Sequence, residues 1–193
     1  MTDNNDITTY LKTRLPLISD ETIRQFRSII TYKKIPKGET LLGYGKISTI
    51  CYIIKTGYIA SFIRHDDGSD FIRTIYKKFS EIASLQSLIA NQKSNATYKT
   101  LTECEVYELD FRKFASFNTL DFKNLHIKIL EKVYMDSEKR INELSALDAT
   151  QRYTQLRKDI PKIDHILPQY QIANYLNITP VQLSRIRRKI ILK

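Results

Sequence analysis

Apolar residues recur at two spacings along the 193-residue chain, and the change from one to the other divides it. Between about residues 30 and 110, short runs rich in Ile, Tyr, Thr and Phe alternate in part with polar positions, as in "YIIKTGYIASFI" and "ATYKTLTECEVYELD". That is the period-two pattern of strands. The chain's five glycines, Gly38, Gly43, Gly45, Gly57 and Gly68, all fall in this stretch and punctuate the runs as turns. Two strand-like runs flank Lys55-Thr56-Gly57, and "RHDDGSDFIRTIY" repeats the arrangement around Asp66-Asp67-Gly68. Short strands between frequent turns predict an antiparallel roll or barrel. Ahead of it, "ISDETIRQFRSII" predicts a short helix capped by Ser19 or Asp20.

From Ser69 to Ile160 there is neither Gly nor Pro, and beyond about residue 118 the apolar steps lengthen to three and four. Phe122, Leu125, Ile129 and Val133, then Ile141, Leu144 and Leu147, form a helical stripe with Ser137 in its seam. The spacing predicts one helix over 119–147, roughly 43 Å long at 1.5 Å per residue. A helix of that length needs a surface for its stripe, either the roll or its twin in a second subunit. "DATQRYTQLRKDIP" then reads as a further helix stopped at Pro161, and "PKIDHILP" as a connector between two prolines. The expected fold class is α+β: an antiparallel β-roll over 1–117, a long helix over 118–147, a dimerisation helix if its stripe pairs with a twin, and a helical domain over 148–193.

Within 169–190 the apolar residues fall into two short sets, Ile172, Ala173 and Leu176, then Leu183, Ile186 and Ile190. Asn177 stands where the chain must turn and tolerates the left-handed conformation. Ile178 is suited to plug the gap, Thr179 to cap the second helix, and Pro180 to fill its first turn. Ala173 is small enough for the two helices to cross closely. These features together describe a helix-turn-helix. With Leu183 and Ile186 inward, Val181, Gln182, Ser184, Arg185 and Arg188 face outward or to the flank. Gln suits adenine, Arg suits guanine O6 and N7, and Val suits a thymine methyl. Arg187, Lys189, Gln169 and Tyr170 are placed for phosphates, which position a protein without specifying sequence.

Charge strengthens this picture. The chain carries a net charge of +10, of which residues 151–193 hold +7. A polyanion is the simplest partner for such a concentration. With 42% hydrophobic residues and no apolar run approaching ~18 residues, a soluble protein without a membrane span is expected. The polar start "MTDNNDITTY" does not read as a signal peptide, so a cytoplasmic location is expected. Cys51 and Cys104 are too far apart in sequence for a clustered metal site or a disulfide framework, and His65, His126 and His165 are isolated. No metal or cofactor is expected. There is no Gly-rich phosphate loop or nucleophile elbow, and Asp66-Asp67 beside Gly68 suit a hairpin turn better than catalysis, so an enzyme is not expected.

The order of roll, long helix and C-terminal helix-turn-helix resembles the Crp/Fnr family of bacterial transcription regulators. The likeness is carried by "IPKGETLLGYGKISTICYIIKTGYIASFI" (35–63), similar to the opening strands of a cyclic-nucleotide-binding roll, and by "QIANYLNITPVQLSRIRRK" (171–189), whose "LSRIRRK" is like the family's recognition helix. The resemblance implies a homodimer joined through the long helix, bound to a two-fold symmetric operator in double-stranded DNA, with a small-molecule effector of unknown identity in the roll and RNA polymerase as a candidate partner. Family members that bind cyclic AMP have a Gly-Glu pair followed by an Arg-Ser or Arg-Thr step. Here Ser80 precedes Glu81, and Ser94-Asn95 stands where the arginine would be, so the cyclic phosphate would lack its charge partner. The expected function is a sequence-specific DNA-binding regulator whose roll does not take cyclic AMP. The alternative is a ligand-binding module that acts through protein partners. Salt dependence separates them, because neutralising phosphates releases counterions.

Overall fold

The computed structural model describes residues 4–64, 68 and 70–191. Helices α1 (Asn4–Arg14) and α2 (Asp20–Ser28) precede the strands β1 (Ile30–Ile35), β2 (Thr40–Leu42), β3 (Ile50–Thr56), β4 (Ile59–Arg64), β5 (Asp70–Tyr76) and β6 (Glu81–Ile82). After α3 (Leu85–Ala90) come β7 (Thr97–Thr100), β8 (Cys104–Asp110), α4 (Phe111–Ser116) and the long α5 (Leu120–Ala146). The chain continues through α6 (Ala149–Asp159), α7 (Ile163–Ile166), α8 (Gln169–Tyr175) and α9 (Pro180–Ile191).

The strands form two open antiparallel sheets, ordered β1-β8-β3-β6 and β2-β7-β4-β5. The runs on either side of Gly57 therefore do not pair with each other, because the turn carries the chain from one sheet to the other. The turn between β7 and β8 crosses in the same way, and the two crossings interlock. Leu101 N donates to Tyr58 O at 2.8 Å and Tyr58 N to Thr102 Oγ1 at 3.0 Å. Gly57 is required here: its φ is +92°, and a Cβ would stand 2.5 Å from Glu103 O. The β4–β5 pair is a true hairpin. The expected turn at Asp66-Asp67 and the expected isolated His65 lie outside the described residues.

Strand alternation is only partial in the sequence because the central strands β3 and β4 bury residues on both faces. Along β3, Ile54 enters the roll interior with Ile35, Ile59, Ile82, Tyr98 and Val106, while Ile53 turns to a second core with the helices. That second core joins Ile7, Tyr10 and Leu11 of α1, Ile23 and Phe26 of α2, Phe114 of α4, and Phe122 and Leu125 of α5. Along β4, Ala60 and Phe62 join Ile72 and the helices α6 to α9 in a third core, so the C-terminal helices pack directly on the roll.

Ser19, one of the two candidate caps, closes α2 by accepting from Thr22 N at 3.2 Å. Helices α1, α3 and α4 were not expected from the sequence, and α7 corrects the reading of "PKIDHILP" as a plain connector. In α7, Ile163 is fully buried and Leu167 N bonds back to Ile163 O at 3.0 Å, which fixes one helical turn between the prolines.

The long helix is present, with Thr119 as its cap, but its expected single stripe is divided. Phe122, Leu125 and Ile129 turn into the helical core. A different face stays open, with Ile127 53%, Tyr134 64% and Ile141 58% exposed and Leu144 beside them. With half-buried Leu130 and exposed Ser137, these residues fall at alternating steps of three and four, a period of 3.5 that departs slowly from the 3.6 of the inward face.

Candidate nucleic-acid interface

The helix-turn-helix is assembled as its side-chain chemistry dictates. Ile172, Ala173 and Leu176 of the first helix and Leu183 of the second are fully buried, and Ile186 nearly so. Asn177 takes φ 53°, the left-handed turn for which Asn is suited, and Ile178 is half-buried in the core beneath. Thr179 and Gln182 form a reciprocal capping box. Gln182 N donates to Thr179 Oγ1 at 3.2 Å, and Thr179 N donates to Gln182 Oε1 at 2.9 Å. Gln169 Nε2 donates to Pro180 O at 2.9 Å, fastening the start of α8 to the start of α9.

Val181, Gln182, Ser184, Arg185, Arg188 and Lys189 are all exposed on α9, and Tyr170 is exposed at the start of α8. No Asp or Glu occurs between Gln169 and Ile191, so no acid on these helices opposes the cations. Two of the sequence candidates have partners that narrow their roles. Gln182 spends one amide lone pair on the cap, which leaves its Nε2 free to donate. Arg187 does not face outward with Arg188. Its Nε donates to Tyr153 Oη at 3.2 Å and its Nη2 pairs with Asp164 Oδ1. Tyr153 Oη in turn donates to Asp164 Oδ2 at 2.8 Å. Arg187 thus pins α9 to α6 and α7, and its guanidinium, for which a phosphate contact was expected, already has protein partners. Steps of 100° along a helix explain the split: Arg185 and Arg187 point about 200° apart.

The anchors were not visible in the sequence because they join distant segments. Arg140 of α5 lies 3.9 Å from the Tyr175 ring centre and donates to Tyr175 O. Arg152 Nε donates to Leu176 O at 3.0 Å. Asp159 of α6 receives Lys77 from the roll and Lys139 from the long helix, each at 3.4 Å. Burial alone would raise the Asp159 carboxyl, but the Gln155 hydrogen bond and the two lysines outweigh it and hold the group below the usual carboxylate range. The Asp148–Gln151 capping box that starts α6 is one anchor the sequence did carry, as Asp-x-x-Gln.

In the roll, Glu81 does not face an open pocket. Its Oε1 accepts from Tyr10 Oη at 2.7 Å and from Arg14 Nε at 2.8 Å, while Arg14 Nη2 donates to Phe79 O at 2.8 Å. Ser94 is buried and bonded to Ala96 O at 2.8 Å, and Asn95 is exposed. Between the sheets, the space lined by Leu42, Ile50, Tyr52, Ile82 and Tyr98 measures about 10 Å³. That is at the lower limit for one water. Cys51 cannot supply a thiolate near neutrality, since burial, with Asp110 and Glu81 nearby, pushes it up to about 12. His126 packs edge-on against Phe111 and Phe114, and His165 is exposed on α7. Among the described residues no group of three or more His, Cys, Asp or Glu is placed to hold a metal, and no helix is long and apolar enough to cross a membrane.

Comparison with known proteins agrees with this architecture. Residues 32–118 match the cyclic nucleotide-binding domain. The cAMP-activated global transcriptional regulator CRP of Escherichia coli is 28% identical over 148 residues, covering 75% of this chain and 70% of its own. The regulator of the same name from Pasteurella multocida is 26% identical over 147 residues, with the same two coverages, 75% and 70%. Among solved structures, a regulator assigned to the crp/fnr family from Eubacterium rectale superposes with a TM-score of 0.70 at 13% identity, over 93% of this chain and 88% of that one. The c-di-GMP responsive global regulator CLP of Xanthomonas campestris does so with a TM-score of 0.67 at 16% identity, over 90% and 92%. Residues 32–118 thus carry the pattern of a cyclic nucleotide-binding domain, and the open two-sheet roll, long helix and C-terminal helix-turn-helix follow in the same order as in solved regulators of the crp/fnr family, to which the chain is similar in fold.

Proposed function

We propose that the protein is a sequence-specific DNA-binding transcription regulator that works as a homodimer. The observation that carries this reading is the outer face of α9, where Arg185, Arg188 and Lys189 stand exposed, free of local acids, on a helix anchored to the rest of the molecule by Arg187. Cations held this way suit a duplex: Arg185 and the donor Nε2 of Gln182 toward base edges, Lys189 and the Tyr170 hydroxyl toward phosphates. In this reading, residues 1–117 form the roll domain, 118–147 the dimerisation helix and 148–193 the DNA-binding domain.

The open seam of α5 supports the dimer. Ile127, Tyr134, Ile141 and Leu144, with half-buried Leu130, repeat at the spacing of a two-stranded coiled coil, and the four stay exposed among the described residues. Two copies would present their recognition helices to half-sites about 34 Å apart. For the roll, the engagement of Glu81 by Tyr10 and Arg14 and the lack of an arginine at Ser94-Asn95 support a protein that does not take cyclic AMP.

The test is selection of genomic fragments by purified protein at two salt concentrations. A two-fold symmetric motif whose binding weakens steeply with salt is the expected result. Absence of DNA binding would overturn the reading in favour of a module that acts on protein partners.

A further inference from the structure

The cations do not account for the whole of the exposed face. Between the starts of α8 and α9 lies an open recess of about 430 Å³ lined by Gln169, Tyr170, Pro180, Val181 and Ser184. None of these residues is charged. Tyr170 is 55% and Val181 61% exposed, so two large apolar surfaces stand in water beside a cluster of cations.

The recess is held in shape. Gln169 ties Pro180 O across its floor, the Thr179–Gln182 box fixes the first turn of α9, and Gln171 Nε2 donates to Tyr170 Oη at 3.3 Å. Arg185 stands one helical turn beyond Val181, and Arg188 lies on the same side a turn further. Those charges select a polyanion as the occupant. The apolar feature that a DNA major groove offers is the 5-methyl group of thymine, and cytosine, adenine and guanine present only donors and acceptors there.

We propose that this recess receives the 5-methyl group of one thymine in each half-site, which makes Val181, with Tyr170 and Pro180, the determinant of base identity at that position. The inference rests on the reading of α9 as the DNA-facing helix. Removing one buried methyl corresponds to about a fourfold loss of affinity per half-site, and to roughly sixteenfold when both half-sites of a dimer are changed.

The experiment uses the full chain and the operator recovered by selection, with each thymine replaced in turn by deoxyuridine, a change that deletes only the methyl. The expected result is one symmetric pair of positions at which affinity falls by about fourfold per half-site. At that pair, 5-methyldeoxycytidine opposite guanine should bind better than deoxycytidine by a similar factor. In Val181→Ser the thymine-over-uracil ratio should fall toward one while the salt slope stays that of the parent.

Specific operator binding that ignores uracil at every position would overturn the inference and leave the regulator reading standing. So would a thymine preference that survives both Val181→Ser and Tyr170→Ala, since the methyl would then be read elsewhere. Failure to select any sequence would instead remove the regulator reading, and the inference with it.

Discussion

Arg185, Arg187 and Lys189 lie close together on α9, yet their surroundings set them different tasks. Arg185→Ala removes an exposed guanidinium from the face read as base-contacting. It should cost about 1–3 kcal/mol in binding to the selected operator without changing the thermal midpoint. Lys189→Ala should lower the slope of log affinity against log salt by about one, as loss of a single phosphate contact does. Arg187→Ala should behave in neither way. It removes the partner of Asp164 and Tyr153 Oη, a partly exposed network whose loss we place at about 1 kcal/mol of stability after allowing for solvent screening. Its salt slope should match the parent's. A lowered slope with unchanged stability would show that Arg187 meets phosphate after all.

At the scale of elements, closure and capping decide stability. Gly57→Ala must place a Cβ 2.5 Å from Glu103 O at a φ of +92°, on the crossing that joins the two sheets. Destabilisation of about 2 kcal/mol or more is expected in urea unfolding, since backbone strain and a steric clash coincide. Thr179→Ala, which removes half of the capping box, should cost about 1 kcal/mol and weaken operator binding through the first turn of α9. The long helix carries its own test. Ile141→Lys puts a charge into the open seam, where Ile141 is 58% exposed and unneeded by the core of its own chain. Sedimentation should then report a monomer with an intact fold, and a persistent dimer would mean that α5 is not the joint.

At the scale of the whole molecule, Asp159 is where roll, long helix and C-terminal helices meet through Lys77 and Lys139. Its carboxyl is held below the ordinary value, and the sign of the consequence follows from that. The stabilisation is present above the unfolded value of about 3.9 and is lost as pH falls through the folded value. The protection factors of amides in α8 and β5, which pack on each other, taken relative to the intrinsic exchange rate at each pH, should therefore fall as the solution is acidified below about pH 4. Asp159→Asn should show the lower protection already at neutral pH and a flatter response to acid. A second set of contacts joins the roll to α9, since Ala60, Phe62 and Ile72 of the roll share one core with Leu183 and Ile186.

How much of this was legible depended on whether a feature is local. The left-handed Asn177, the Thr179 cap, the inward Leu183 and Ile186 and the extent of α5 all follow from residue type and periodicity within a few positions. The apolar Ile7, Tyr10 and Leu11 also sat at helical spacing, and α1 could have been found from them. Contacts between residues distant in sequence were not legible. Nothing near Arg187 indicates that Asp164 and Tyr153 will turn it inward, and nothing near Glu81 announces Arg14. The division of α5 into a packed face and an open one likewise waits on where α1, α2 and α4 come to rest. By itself, the sequence determined the strand-rich stretch, the long helix, the helix-turn-helix with its Thr179 cap and the net charge of the C-terminal segment, because these depend on local geometry and composition. Only the tertiary structure decided which cations stay free, which apolar face stays uncovered and whether the roll keeps a cavity, because each depends on what distant chain is packed against it.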